Sequence, residues 1–264
     1  MSRTMYRRKG TRILTSKCEY CGKELPTRSF TPFGMKPVTV ALPCDCERAR
    51  AAADEESRRA EQEERIKAFS QVWSMAGVPK RFLHVKADFD VAKPLFNGES
   101  MYLVGENGRG KTYAACQAAK AYLARNTRRD EFTERGEVRY GAMRCGVSFR
   151  FVALQDMFSE LRSSYDRWDR NEEEVFARWE GVDLLILDDL GKGVPSEWAA
   201  ETLFKIINKR WSDERLTIIT SQYETTELIE RYRRAGDETM SAMLSRIQGD
   251  CEEIHIDGPD RRLA

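Results

Sequence analysis

Residues 100–123 read SMYLVGENGRGKTYAACQAAKAYL, and the reading of the whole chain starts from them. Met101, Tyr102, Leu103 and Val104 make a short apolar run of the kind that forms a buried strand. The run breaks at Gly105, and Gly105, Gly110, Lys111 and Thr112 fit the pattern G-x-x-x-x-G-K-[ST]. A helical segment rich in small residues follows, with Ala114, Ala115, Ala118, Ala119 and Tyr122. Strand, glycine loop and helix is the context that a phosphate-binding loop requires. Phosphate oxygens need several backbone N–H donors at close range, and Gly108 and Gly110 can take the backbone angles that supply them. The helix start adds unpaired N–H groups and the positive end of its dipole. Lys111 is placed to reach β- and γ-phosphates, and Thr112 to hold magnesium. Gly105, Glu106, Asn107, Gly108, Arg109, Gly110, Lys111, Thr112 and Tyr113 are therefore expected around a bound ATP or ADP.

A second signal lies at residues 182–189, VDLLILDD. A buried parallel strand explains the apolar run, but not two adjacent carboxylates at its exit. Asp188 is expected in the magnesium shell, and Asp189 where a carboxylate can orient or deprotonate water. Leu216–Thr220 (LTIIT) is a further buried strand leading to Ser221 and Gln222. Residues 147–152 (VSFRFV) alternate like a strand, and residues 253–256 form a last one.

With 264 residues the chain can hold one substantial core and a small appendage. Net charge is +1, so a nucleic-acid surface would have to be local. No apolar run reaches the ~18 residues of a membrane span, and no secretory signal is visible, so the expected compartment is the cytoplasm. Seven cysteines there suggest metal ligands or buried thiols rather than disulfides. Cys18-x-x-Cys21 and Cys44-x-Cys46 can wrap one tetrahedral ion, and zinc is the expected one. The segment between them, with Phe30, Pro32, Phe33, Gly34 and Pro37, is too short to bury a core and needs such a staple. Cys116, Cys145 and Cys251 read as structural.

These features divide the chain into a basic tail and zinc-binding segment at 1–46, a linker helix at 47–76 and a nucleotide-binding domain at 77–264. Residues 1–17 hold six basic side chains and no acid, which fits a solvated tail or a basic arm. The linker carries acid-then-base pairs at i,i+4 such as Glu55/Arg59, and a stripe of Ile66, Phe69 and Trp73 expected to dock on the domain that follows. Residues 78–99 could line an adenine pocket. Residues 126–146 read as a polar, Arg-rich loop or insertion. Arg162, Arg167 and Trp168 interleave charge and ring, a surface that suits single-stranded nucleic acid or simply a solvated helix. Asp237 can cap a helix whose stripe is Met240, Met243, Leu244 and Ile247, leaving Arg246 free to point outward.

The set GENGRGKT, LLILDDLG, IITSQY and MLSRI resembles the AAA+ ATPases of the DnaC/DnaI/IstB-like group, over roughly residues 76–262. The resemblance implies an α/β P-loop fold, a parallel sheet flanked by helices, with no C-terminal helical lid. It implies slow, switch-like ATP hydrolysis, with Lys111, Asp189, Gln222 and Arg246 as catalytic residues. Gln222 stands where the group's sensor residue is usually Asn, and Arg246 where an arginine finger serves the neighbouring subunit's ATP. It places a DNA-contacting helix near residues 153–178. The four-cysteine segment resembles the helicase-binding domain of DnaI-type loaders. The expected partners are a DnaB-type replicative helicase, single-stranded DNA and further copies of the chain. A transposase helper of the same fold, a DNA adaptor that holds ATP without useful turnover, and a small-molecule P-loop kinase are the rival readings.

Overall fold

The computed structural model describes residues 17–31, 38–134, 137–165, 172–192, 196–234 and 237–259. The basic tail before Lys17, the residues Pro32, Phe33, Gly34 and Pro37, and the expected DNA contacts Arg167 and Trp168 lie outside them. The chain forms two compact units, Met1–Glu63 and Glu64–Ala264.

In the first unit, β1 (Thr27–Phe30) and β2 (Val38–Ala41) form an antiparallel pair in register from Thr27↔Ala41 to Phe30↔Val38. Helix α1 (Glu47–Met75) begins here, and the boundary between the units falls within it. Its first half is mostly exposed, and Arg59 meets Glu55 at 2.5 Å.

In the second unit, Phe69 and Trp73 of α1 are buried. Trp73 stacks on Phe149 with ring centroids 5.3 Å apart. Ile66, expected in the same stripe, is 46% exposed, so the buried part of the stripe is Phe69 and Trp73. A 3-10 turn (Lys80–Phe82) and α2 (Lys93–Asn97) lead into β3 (Ser100–Val104) and α3 (Lys111–Arg125). Residues 126–146, read as a loop or insertion, contain an antiparallel hairpin, β4 (Thr127–Glu134) and β5 (Glu137–Cys145). Glu64 ties it to α1, accepting from Arg129 and from the Met143 N–H at 3.3 Å.

There follow β6 (Phe149–Ala153), α4 (Leu154–Tyr165), α5 (Glu172–Glu180), β7 (Leu184–Leu190), α6 (Glu197–Ser212), β8 (Leu216–Ser221), α7 (Thr225–Arg234), α8 (Glu238–Asp250) and β9 (Cys251–His255). Ser196 and Asp237 cap α6 and α8, accepting from the N–H groups of Ala199 and Met240. Five strands form one parallel sheet in the order β6-β7-β8-β3-β9. The apolar runs are continuous because helices cover both faces. Ala115, Ala118 and Ala119 are fully buried, so α3 lies close on the sheet. Burial pushes the Cys116 thiol up to about 12, in keeping with a structural role.

Arg210 of α6, 1% exposed, is satisfied without a carboxylate bond. Its guanidinium donates to the carbonyls of Trp179 (2.8 Å), Val182 (2.7 Å) and Leu216, and to Thr217 Oγ1 (3.0 Å). No helix among the described residues is long and apolar enough to cross a membrane.

Candidate functional site

A parallel sheet gathers the carboxyl ends of its strands at one edge, where ligands of open α/β folds sit. Here that edge holds the exits of β3, β7 and β8. Gly105 leaves β3 at φ +155°, and a Cβ there would lie 2.5 Å from the Ile256 carbonyl oxygen. Any other residue would push the loop away from the segment after β9. Gly110, at φ +99°, turns the chain into α3.

Lys111 is 6% exposed, and its ammonium donates to the carbonyls of Gly105 at 2.7 Å and Glu106 at 2.9 Å. The charge is thus held over the loop it would share with phosphate. Thr112 Oγ1 donates to Asp188 Oδ1 at 2.8 Å, joining the start of α3 to the end of β7. These strands are not neighbours, because β8 lies between β3 and β7. Thr220 of β8 completes the bridge, donating to Asp188 Oδ1 at 2.7 Å and accepting from the Asp189 N–H at 2.9 Å. Burial pushes the Asp188 carboxyl above its usual range, against the pull of the Thr220 and Thr112 hydroxyls. A divalent cation there would remove that penalty.

Asp189 has φ +67°, a left-handed conformation that a non-glycine residue rarely takes. The pairing of β7 with β8 shifts register at this point. Backbone strain of this sort concentrates at functional positions. Its carboxylate pairs with Lys192. Gln222 reaches the glycine loop, accepting from Asn107 Nδ2 at 3.0 Å.

A cavity of about 280 Å³ is lined by Asn107, Gly108, Gly110, Lys111, Thr112, Tyr113, Asp188 and Asp189, with Arg81 and Phe82 from the 3-10 turn. The structure therefore brings the glycine loop and both acids together. The side chains of Glu106 and Arg109 pair with each other, and Arg109 also bonds the Gly258 carbonyl, so they brace the loop.

Arg246 is exposed but does not project freely as the sequence suggested. It bonds Asn208 Oδ1 and lies over the rings of Phe204 (5.0 Å) and Trp211 (5.8 Å) of α6. The helical stripe beneath it is buried as expected, yet α6 offers the arginine two aromatic faces. Arg162 lies 4.9 Å over Trp198.

In the first unit the four thiols of Cys18, Cys21, Cys44 and Cys46 all lie within 4.8 Å of one another. Cys18 Sγ is 3.9 Å from Cys46 Sγ, and Cys21 Sγ 3.5 Å from Cys44 Sγ. Tetrahedral zinc with ~2.3 Å bonds sets its sulfurs ~3.8 Å apart, so the donor set fits. The Ala49 N–H at the start of α1 donates to Cys46 Sγ at 3.4 Å. The Tyr20 backbone N–H holds the Cys18 thiol down at about 7.

Residues 137–264 match the family of IstB-like ATP binding proteins. That span contains Asp188, Asp189, Gln222 and Arg246; the glycine loop precedes it. Among solved structures, DnaI superposes with a TM-score of 0.52 at 21% identity, over 69% of this chain and 95% of that one. The DnaC helicase loader superposes with a TM-score of 0.50 at 21% identity, over 68% of this chain and 100% of that one. Comparison with curated proteins returns no significant match. Residues 137–264 are thus similar to IstB-like ATP binding proteins, and the second unit shares its fold with DnaI and the DnaC helicase loader.

Proposed function

We propose that this chain is an AAA+ ATPase of the DnaC/DnaI/IstB-like group and a replication factor that delivers a ring helicase to single-stranded DNA, using ATP as a slow switch. The observation that carries this reading is the four-thiol unit built ahead of a complete nucleotide pocket. A bare nucleotide switch has no need of a separate metal-stapled module, whereas a loader needs a handle for its helicase.

In this reading Lys111 leaves the Gly105 and Glu106 carbonyls for the β- and γ-phosphates. Thr112 and Asp188 would hold magnesium, which would neutralise charge on the phosphates. Asp189 takes a proton from water as the water oxygen bonds the γ-phosphorus and the bridging oxygen leaves with ADP. Gln222 and Asn107 fix the loop beside that water. Phe82 and Arg81 flank the base. The four cysteines would hold zinc, which would staple the helicase-binding unit. Neighbouring copies assemble through the nucleotide site, with Arg246 turned toward the adjoining subunit's ATP.

The test is capture of a DnaB-type helicase by the full chain with ATP present, alongside loading onto closed single-stranded circles. Lys111→Ala should lose both ATP binding and loading. The IstB-like match supports a second reading, an ATPase that assists a transposase. Capture of a transposase and no helicase would select it.

A further inference from the structure

Behind the exit of β7 lies a cavity of about 340 Å³, separate in its lining from the nucleotide pocket except at one residue, Asp189. Its floor is apolar, from Phe158, Leu203 and Met240, with Tyr232. Its rim carries two cations, Arg162 of α4 and Lys192 of the segment after β7. Arg162 is held over Trp198, whose ring meets Phe158 edge-on at 5.9 Å, so the cavity's aromatic wall beside the charge is Phe158, backed by Trp198.

Lys192 belongs to two systems. It lines this cavity, and its ammonium is paired with the Asp189 carboxylate. An acid tied to an ammonium is a poor proton acceptor and points at the wrong partner. The backbone of Asp189 is fixed independently, by its N–H bond to Thr220 at 2.9 Å. Moving Lys192 therefore frees the carboxylate without moving the residue.

We propose that this cavity takes a phosphodiester of single-stranded DNA, and that the phosphate draws Lys192 off Asp189 and so switches hydrolysis on. Arg162 supplies the second charge on the phosphate, and the aromatic wall a face for a base or sugar. Lys192 is the latch, a positioning residue. The proposal rests on the catalytic reading of Asp189 given above, and it adds how the partner DNA controls that acid.

The experiment is single-turnover ATP hydrolysis by the full chain, with and without oligodeoxythymidylate. The parent should be slow alone and faster with the oligonucleotide. Lys192→Ala and Lys192→Gln should hydrolyse faster without DNA, by about fivefold for loss of one exposed ion pair, and respond little to DNA. Arg162→Ala should need at least about fivefold more oligonucleotide for half-stimulation. Parental basal rate and parental stimulation in both lysine variants would overturn the latch. Asp189→Asn separates the two levels of the argument. If it hydrolyses at the parental rate, the catalytic reading fails and the latch with it. If it is slow while the lysine variants behave as parent, only the latch fails.

Discussion

Thr220 donates its hydroxyl to the Asp188 carboxylate at 2.7 Å, from a strand that lies between the two halves of the nucleotide site. The same oxygen receives the Asp189 N–H, so one side chain sets both acids. Thr220→Val keeps the shape and removes both bonds. It should slow magnesium-dependent hydrolysis by about 10–100-fold, the usual effect of losing a group that orients a metal ligand. Stability should fall by about 1–3 kcal/mol for the unpaired buried groups. Thr220→Ser should restore most of the rate. Hydrolysis measured against magnesium concentration, with thermal melts beside it, decides the matter; a parental magnesium dependence in Thr220→Val would remove Thr220 from the site.

Asp183 gives a pH prediction. Burial alone would raise its carboxyl, but the Ser148 N–H and O–H, both at 2.7 Å, and Arg215 at 2.8 Å outweigh burial and hold it below the usual range. A carboxyl lowered in the folded state contributes stability that is present above its unfolded value near 3.8 and is lost as pH falls through its folded value. Asp183→Asn should cost about 1–2 kcal/mol at pH 7, the lower part of the range for charged hydrogen bonds because the group is partly exposed. The gap between parent and variant melts should close as pH drops below 3.8. A gap independent of pH would mean that charge plays no part.

The thiol cluster predicts one zinc per chain by elemental analysis. Cys44→Ser should lower that occupancy, and a strong chelator should unfold the first unit, since a structural zinc site can contribute about 10–16 kcal/mol. Removal of residues 1–46 should abolish helicase capture and leave ATP binding intact. Metal-free protein with parental helicase capture would overturn the assignment.

Arg246 is tested by mixing. Arg246→Ala and Lys111→Ala should each hydrolyse ATP weakly, by at least about tenfold for the missing finger. Mixed and shown to co-assemble, they should recover part of the rate, because one supplies the arginine and the other the pocket. If Arg246→Ala alone keeps the parental rate and loses only about 1 kcal/mol of stability, its contacts with Phe204 and Trp211 are its whole role.

The glycine loop and the β7 acids were legible in sequence because they depend on local patterns, an apolar run broken by glycine or by carboxylate. Thr220 was not, since a hydroxyl closing the run LTIIT looks like any strand residue until β8 is seen to lie between its two partners. Lys192 was hidden because its pairing with Asp189 accompanies a left-handed backbone turn that no sequence pattern announces, whereas Arg81 and Phe82 fall within the 78–99 segment expected near adenine and line the cavity. The β4–β5 hairpin escaped because its charges fall on both faces, leaving no alternation to read; Arg128 even stands opposite Arg144. Arg246 shows the converse error. Its helical stripe was read correctly, but a residue off the buried stripe can still lie against the rings of a neighbouring helix.

Arg210 limits where this molecule can move. Its guanidinium bonds carbonyl and hydroxyl dipoles drawn from the end of α5, the approach to β7 and the first residues of β8, and the nearby Asp183 carboxylate favours its charge. A lysine could not span that set, having one nitrogen for four acceptors. The three segments are therefore clamped as one block at the end of the sheet away from the nucleotide. Any hinging that follows exchange of ATP for ADP is therefore expected at the opposite rim, beside Gly105, Asp189 and Gln222, against this clamped floor.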